Sequence, residues 1–122
     1  MTPGIITTEE FDFIVEERIK LIKKVLQKKA KEYASDTNRM HNFVAGANYD
    51  NESPEKYLWN LWKKHLVAVQ DIINKIEKVY QDGIEYAFDD IEYTIVNEKI
   101  TDTVNYAILL EALFNARRII TT

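Results

Sequence analysis

Three stretches of this chain repeat their apolar residues at spacings of four and three, and that repeat constrains the fold more than any other feature. The first runs Phe11, Val15, Ile19, Ile22, Leu26, Ala30, Tyr33. Such spacing lines one face of an α-helix and does not suit a strand, whose faces alternate every second residue. It predicts a helix of about seven turns. Thr7-x-x-Glu10 opens it as a capping box, with Ile6 and Phe11 placed as a hydrophobic staple. The second stretch runs Leu58, Trp62, His65, Val69, Ile72, Ile76, Val79. Ser53 stands as its N-cap, Pro54 at its first helical position and Asp82-Gly83 as its stop. The third starts at Asp89 or Asp90 and is expected to reach about Ile120.

Little remains for other architecture. Three Gly and two Pro in 122 residues leave few tight turns, which argues against an all-β fold. The expectation is a single all-α domain over residues 1–122, built as a bundle of three long helices. Residues 34–53 lose the periodicity and read as a polar loop. Residues 84–88 are open between a short extra helix and a strand-like link. Each long helix carries a broad apolar arc, more than one three-helix subunit easily hides. A homo-oligomer is therefore expected to complete the bundle.

Several classes drop out. There is no cysteine, which excludes disulfides, thiolate catalysis and Cys-ligated zinc. No apolar run approaches the roughly 18–20 residues of a membrane span, and "MTPGIITTEEF" has neither the basic nor the apolar region of a signal peptide. The expectation is a cytoplasmic protein with no membrane partner. The net charge of −4 argues against a nucleic-acid partner, although the charge is uneven. Basic residues dominate from Arg18 to Lys31 and acidic ones from Glu77 to Asp102. These runs read either as helix faces that complement each other within or between subunits, or as a basic face for an anionic ligand.

The chemistry concentrates in "EKITDTVNYAILLEAL", residues 98–113. Glu98, Asp102 and Asn105 follow at spacings of four and three, so they form one line along the third helix. Ile91, Ile95 and Leu109 share that flank, while Asn97, Thr101 and Asn115 make a more polar face on another side. The line thus borders the core. A carboxylate drawn out of water needs a partner or a metal. Two readings stand: ion pairs with lysines or Arg39, or oxygen ligands for Mg²⁺. On the second helix Asp71 is the natural cross-helix partner for Glu98 and Asp102, and Lys64, seven residues earlier, shares its face. His65 lies on the apolar stripe, as a hydrogen-bonded core residue or as a ligand.

The loop "SDTNRMHNF" packs Asp36, Asn38, Arg39, His41 and Asn42 into seven residues. That density suits recognition of a polar or phosphorylated ligand, or an Asx-turn that only shapes the connection. It lacks the ligand pattern of a calcium loop. No phosphate-binding glycine loop, dinucleotide fingerprint, zinc-protease motif or nucleophile triad signature is present.

Together, "KAKEYASDTNRMHNF", "KKHLVAVQDII" and "EKITDTVNYAILLEAL" resemble the all-α nucleotide pyrophosphohydrolases, the superfamily of MazG proteins and dimeric dUTPases, and within it a group of small phage-type relatives. The resemblance spans roughly residues 11–118. It implies a Mg²⁺-dependent hydrolysis of a nucleoside triphosphate to monophosphate and pyrophosphate, in the host cytoplasm if the chain is phage-encoded. The metal-binding acidic pair on the last helix of that superfamily maps onto Glu98 and Asp102, here four apart rather than three. Of the other pair this chain has Asp71 alone, with Ala68 three residues earlier. Fewer acidic ligands weaken metal affinity and water activation. The expectation is one Mg²⁺ held by the candidate catalytic residues Asp71, Glu98 and Asp102. Asn105 would orient a water or ligand group, Lys64, Arg39, His41 and His65 would approach the ligand's phosphates or body, and Asn38 and Asn42 would bond its sugar or base. The alternatives are a non-enzymatic protein that sequesters a nucleotide or nucleotide signal, and a helical adaptor that binds another protein.

Overall fold

The capping signals and the observed helix ends agree closely. The computed structural model describes residues 4–33 and 38–119, with the side chains of residues 31–33 excepted. Asp36, the Tyr33 side chain and Ile120 lie outside that set. The described chain is all-helical: α1 (Thr8–Tyr33), α2 (His41–Tyr49), α3 (Pro54–Gln81) and α4 (Asp90–Asn115). Thr7 Oγ1 accepts from the Glu10 amide at 3.1 Å, Ser53 Oγ from Lys56 at 3.2 Å and Asp89 Oδ1 from Glu92 at 2.8 Å. Each side chain satisfies an amide that has no partner inside its helix. Past α3, Gly83 takes φ +74°, the left-handed turn that stops a helix at little cost only for glycine. Residues 84–89 form no regular element, which settles the open reading of that link against a helix. The last helix ends at Asn115, short of the expected end. No helix among the described residues is long and apolar enough to cross a membrane.

The fourth helix is the main departure from expectation. Residues 41–49, read as loop, form α2, with Phe43 and Ala47 buried one turn apart. Nine residues with two buried positions are too few to display a helical period, and Gly46 and Asn48 are poor helix formers. What holds α2 is tertiary contact. A Cβ built on Gly46 would lie 2.4 Å from Tyr57 Cζ and 2.7 Å from its hydroxyl, so α2 and α3 approach through the missing side chain. Gly46→Ala should therefore destabilise the protein by about 1 kcal/mol, against the gain from helix propensity, because the ring must move. Urea unfolding tests this. In a Tyr57→Leu background the same change should become neutral or stabilising.

The long helices form a layer with α4 in the middle. Arg18 of α1 donates to Thr101 Oγ1 and Asn97 Oδ1, whereas α3 meets α4 through His65–Asp102 and Lys75–Glu92. The two α3 pairings make it antiparallel to α4, and α1 runs parallel to α4, with Phe13 and Ile14 near Tyr93 and Lys29 near the Asn105–Leu109 stretch. Among the described residues α1 and α3 make no backbone packing contact with each other. The expected polar face of α4 is in part a packing face: Thr101 is buried, roofed by the Arg18 guanidinium, while Asn115 is exposed. At the far end Arg117 forks onto Glu55, with one bond of 2.7 Å from Nη2. That hydrogen bond holds the Glu55 carboxyl below its usual pKa.

The buried apolar core is small and lies at one end of the layer: Phe43, Ala47, Leu58, Leu109 and Leu113. Leu26, Met40, Tyr57, Leu61, Trp62, Tyr106 and Leu110 pack around it. The expected α1 stripe is only half covered. Ile22, Leu26 and Ala30 are partly buried, but Phe11, Val15 and Ile19 are exposed.

Candidate functional site

Asn105, in the middle of α4, is buried with 6% of its surface exposed. Neither its amide oxygen nor its amide nitrogen has a hydrogen-bond partner. Leaving a buried amide unpaired typically costs about 1–3 kcal/mol per unsatisfied group. It lines a cavity of about 310 Å³ between α1 and α4, closed by Phe43 of α2 and His65 of α3. Val25, Leu26 and Lys29 line it from α1, and Glu98, Asp102, Tyr106 and Leu109 from α4. The volume falls at the lower end of the range of small-molecule sites, which are mostly apolar with a few converging polar groups.

Local sequence explains the polar set. Glu98, Asp102, Asn105 and Leu109 recur at helical spacing, so a single flank of α4 faces the cavity from carboxylate to core. The end near Leu109 is sealed by α2, and the end near Glu98, which is exposed, is open. His65 projects from the α3 stripe with Nδ1 3.4 Å from Asp102 Oδ2. Its ring lies against Tyr106, with centroids 4.9 Å apart and planes tilted by 34°. The His65 imidazole is therefore held from two sides, by a carboxylate and by an aromatic face.

The structure brings together four of the candidates read from the sequence: His65, Glu98, Asp102 and Asn105. The others stand elsewhere. Asp71 and Lys64 are exposed on α3 and take no part in the cavity wall. Asn38 accepts from the Met40 amide at 2.9 Å through its own Oδ1, which is the Asx-turn reading of the loop. His41 and Asn42 are exposed on the first turn of α2, and Asn42 borders a separate hollow beside Gly46 and Tyr57. Arg39 reaches back to α1, where Nη2 donates to the Leu26 carbonyl at 2.9 Å. Its Nη1 is buried without a partner. Leu26 itself lines the cavity, so Arg39 fixes the backbone of one wall rather than facing the ligand space.

Four wall residues carry no reading of their own in the sequence, Val25 among them. Lys29 is one member of a basic run, Tyr106 is the neighbour of Asn105, and Phe43 is the last residue of the loop "SDTNRMHNF". None carries a distinctive local signal, because each joins the site through a contact between helices.

Among the described residues, no group of three or more His, Cys, Asp or Glu stands together as a metal-binding cluster. With Asp71 outside the wall, Glu98 and Asp102 are the carboxylates at the cavity. Two carboxylates are fewer than an all-protein cation cage supplies. No protein-family model, curated protein or solved structure matches this chain.

Proposed function

We propose that the chain binds a nucleotide or a nucleotide-like phosphorylated small molecule in the cavity between α1 and α4. The observation that carries this reading is the Asn105 side chain, buried at the cavity wall with its donor and acceptor both unpaired. A carboxamide offers one donor and one acceptor side by side, the pattern that matches the edge of a nucleobase. Tyr106 lies beside it with its ring against His65, and Phe43 closes the wall from the core. The short motifs that resemble the nucleotide pyrophosphohydrolases point the same way.

Mg²⁺ would be held by Glu98 and Asp102, where it would neutralise phosphate charge and polarise a phosphoryl oxygen. Binding without turnover is the second reading, and the carboxylate set favours it. Two carboxylates, one of them paired with His65, provide less charge to activate a water than two full acidic pairs would.

A panel of nucleoside mono-, di- and triphosphates, with and without Mg²⁺, separates these readings. At one hundred times its Kd a ligand adds about 2.7 kcal/mol of stability, which a thermal melt resolves easily. One nucleotide is expected to raise Tm well beyond inorganic phosphate. Pyrophosphate release in the same samples marks an enzyme, and its absence alongside a Tm shift marks a binding protein. If no nucleotide outperforms phosphate, the nucleotide reading fails.

A further inference from the structure

The seam between α1 and α4 holds a second hollow, of about 440 Å³, toward the N-terminal halves of both helices. It shares no wall residue with the cavity at Asn105. On α4 its wall is Tyr93 and Asn97, which precede Glu98 and Asp102 by five residues and so sit about 140° around the helix from them. On α1, Leu21 of this hollow and Leu26 of the other are likewise five residues apart. The two spaces therefore lie on different faces of one seam.

The floor of this hollow is apolar and its rim is basic. Phe13, Ile14, Leu21 and Tyr93 make the floor, and Phe13 and Tyr93 are 62% and 56% exposed. Arg18, Lys20 and Lys24 stand around it with Glu17 as the one carboxylate, in a chain whose net charge is −4. Glu17 is taken by Lys20, at 3.3 Å. The half-buried Arg18 gives its bonds to two neutral oxygens, Thr101 Oγ1 and Asn97 Oδ1. Among the described residues neither Arg18 nor Lys24 has a carboxylate partner.

The hydrogen bonds set the sign of what fits. Thr101 spends its own proton on the Asn97 carbonyl, at 2.7 Å, and accepts from Arg18. Asn97 accepts from Arg18 through Oδ1, which leaves its NH₂ group to act as a donor. A guanidinium carries five N–H donors, and the bonds to Thr101 and Asn97 use two of them. Apart from the paired Glu17, the polar groups that remain are donors and positive charge. An anion completes such a set with charge-assisted bonds, which are roughly twice as strong as neutral ones.

We infer that this hollow binds a small organic anion, its carboxylate or phosphate head between Arg18 and Lys24 and its apolar body on the floor of Phe13, Ile14, Leu21 and Tyr93. The volume lies within the roughly 300–1,000 Å³ of small-molecule sites. An inorganic ion would leave the floor in water, and a neutral apolar compound would make no use of the donors. The inference concerns a separate face of the chain and does not depend on what the Asn105 cavity binds.

Calorimetric titration of the full chain tests it with 1-naphthyl phosphate and 1-naphthylacetate, against inorganic phosphate, acetate and 1-naphthol. At least one naphthyl anion is expected to bind with a Kd below roughly 1 mM, about tenfold tighter than the bare head or the neutral ring. Whichever naphthyl anion binds tighter identifies the head. Lys24→Glu should weaken binding by about tenfold or more, because it reverses a charge at the head. Lys23→Glu makes the same change outside the hollow and should stay within about threefold. Both lysines are exposed, so far-UV circular dichroism should show the wild-type helical signal in each variant. Asn105→Leu, in the other cavity, should also leave the affinity within about threefold. Naphthyl anions that bind no better than phosphate, acetate or 1-naphthol overturn the inference. Equal losses in Lys23→Glu and Lys24→Glu overturn it too, since a diffuse basic face then does the binding. So does binding that Asn105→Leu removes and Lys24→Glu spares, which places the anion in the first cavity.

Discussion

Asn105→Leu should make the free protein more stable and abolish its response to ligand. Both amide atoms of Asn105 are buried and unpaired, so replacing the side chain by an apolar one removes a desolvation cost of about 1–3 kcal/mol. Leucine is slightly larger, and the cavity of about 310 Å³ beside it gives the extra atoms room without overpacking. For a domain of this length the gain corresponds to very roughly 3–6 °C in Tm per kcal/mol. The two effects move in opposite directions only if the amide is kept for something outside the chain. Protein sites that bind polar ligands commonly trade stability for function in this way. A melt of the variant with and without the best nucleotide reads both effects at once. Loss of stability in the ligand-free variant would show that the amide holds the fold together, and the functional reading of Asn105 would fall.

Leu58→Ala should cost the most stability of any single truncation. Leu58 is 0% exposed and stands in the cluster of Phe43, Leu109 and Leu113 that joins α2, α3 and α4. Such a change removes about 2–5 kcal/mol through lost burial and the space left behind. Natural domains hold only about 5–15 kcal/mol in total, and this core has few fully buried side chains to share the load. Urea unfolding should show a much lower midpoint with little change in slope. The effect should extend to the site, because Phe43 and Leu109 also wall the cavity. Ligand-induced stabilisation should weaken in the same variant, although Leu58 itself is not a cavity residue. A midpoint shift worth less than about 1 kcal/mol would mean that the cluster is not the centre of the fold.

The residues that were legible and those that were not divide along a physical line. Ser53 is readable as a cap, and Asp89 or Asp90 as another, because a cap acts on amides two or three residues away. The flank of Glu98, Asp102 and Asn105 was readable for a similar reason, since helical spacing alone puts those residues in a row. Asp71 reads as their partner because it too is acidic and lies on the neighbouring helix. It stands outside the cavity because the register of α3 on α4 brings His65 to Asp102 instead. His65 could be left open in the sequence as core or ligand, and the structure gives it features of both, half-buried and facing the site. The loop residues show the reverse case. Asn38 and Arg39 looked like recognition chemistry, but their bonds go to the chain itself, to the Met40 amide and the Leu26 carbonyl.

The sequence by itself determined that this protein is helical, where three of its helices begin, and which flank of the last one carries polar groups toward the core. Those properties depend on neighbours within a turn or two, and local periodicity records them. Tertiary structure alone decided that residues 41–49 fold as α2, that Thr101 is roofed by Arg18, and that Lys29, Phe43 and Tyr106 join the site. Each of those outcomes depends on which helix face meets which, over separations as long as the 83 residues from Arg18 to Thr101. "EKITDTVNYAILLEAL" fixes the line of Glu98, Asp102 and Asn105. Only packing buries Asn105 without a partner and leaves Glu98 exposed, because α2 covers the Leu109 end of that flank.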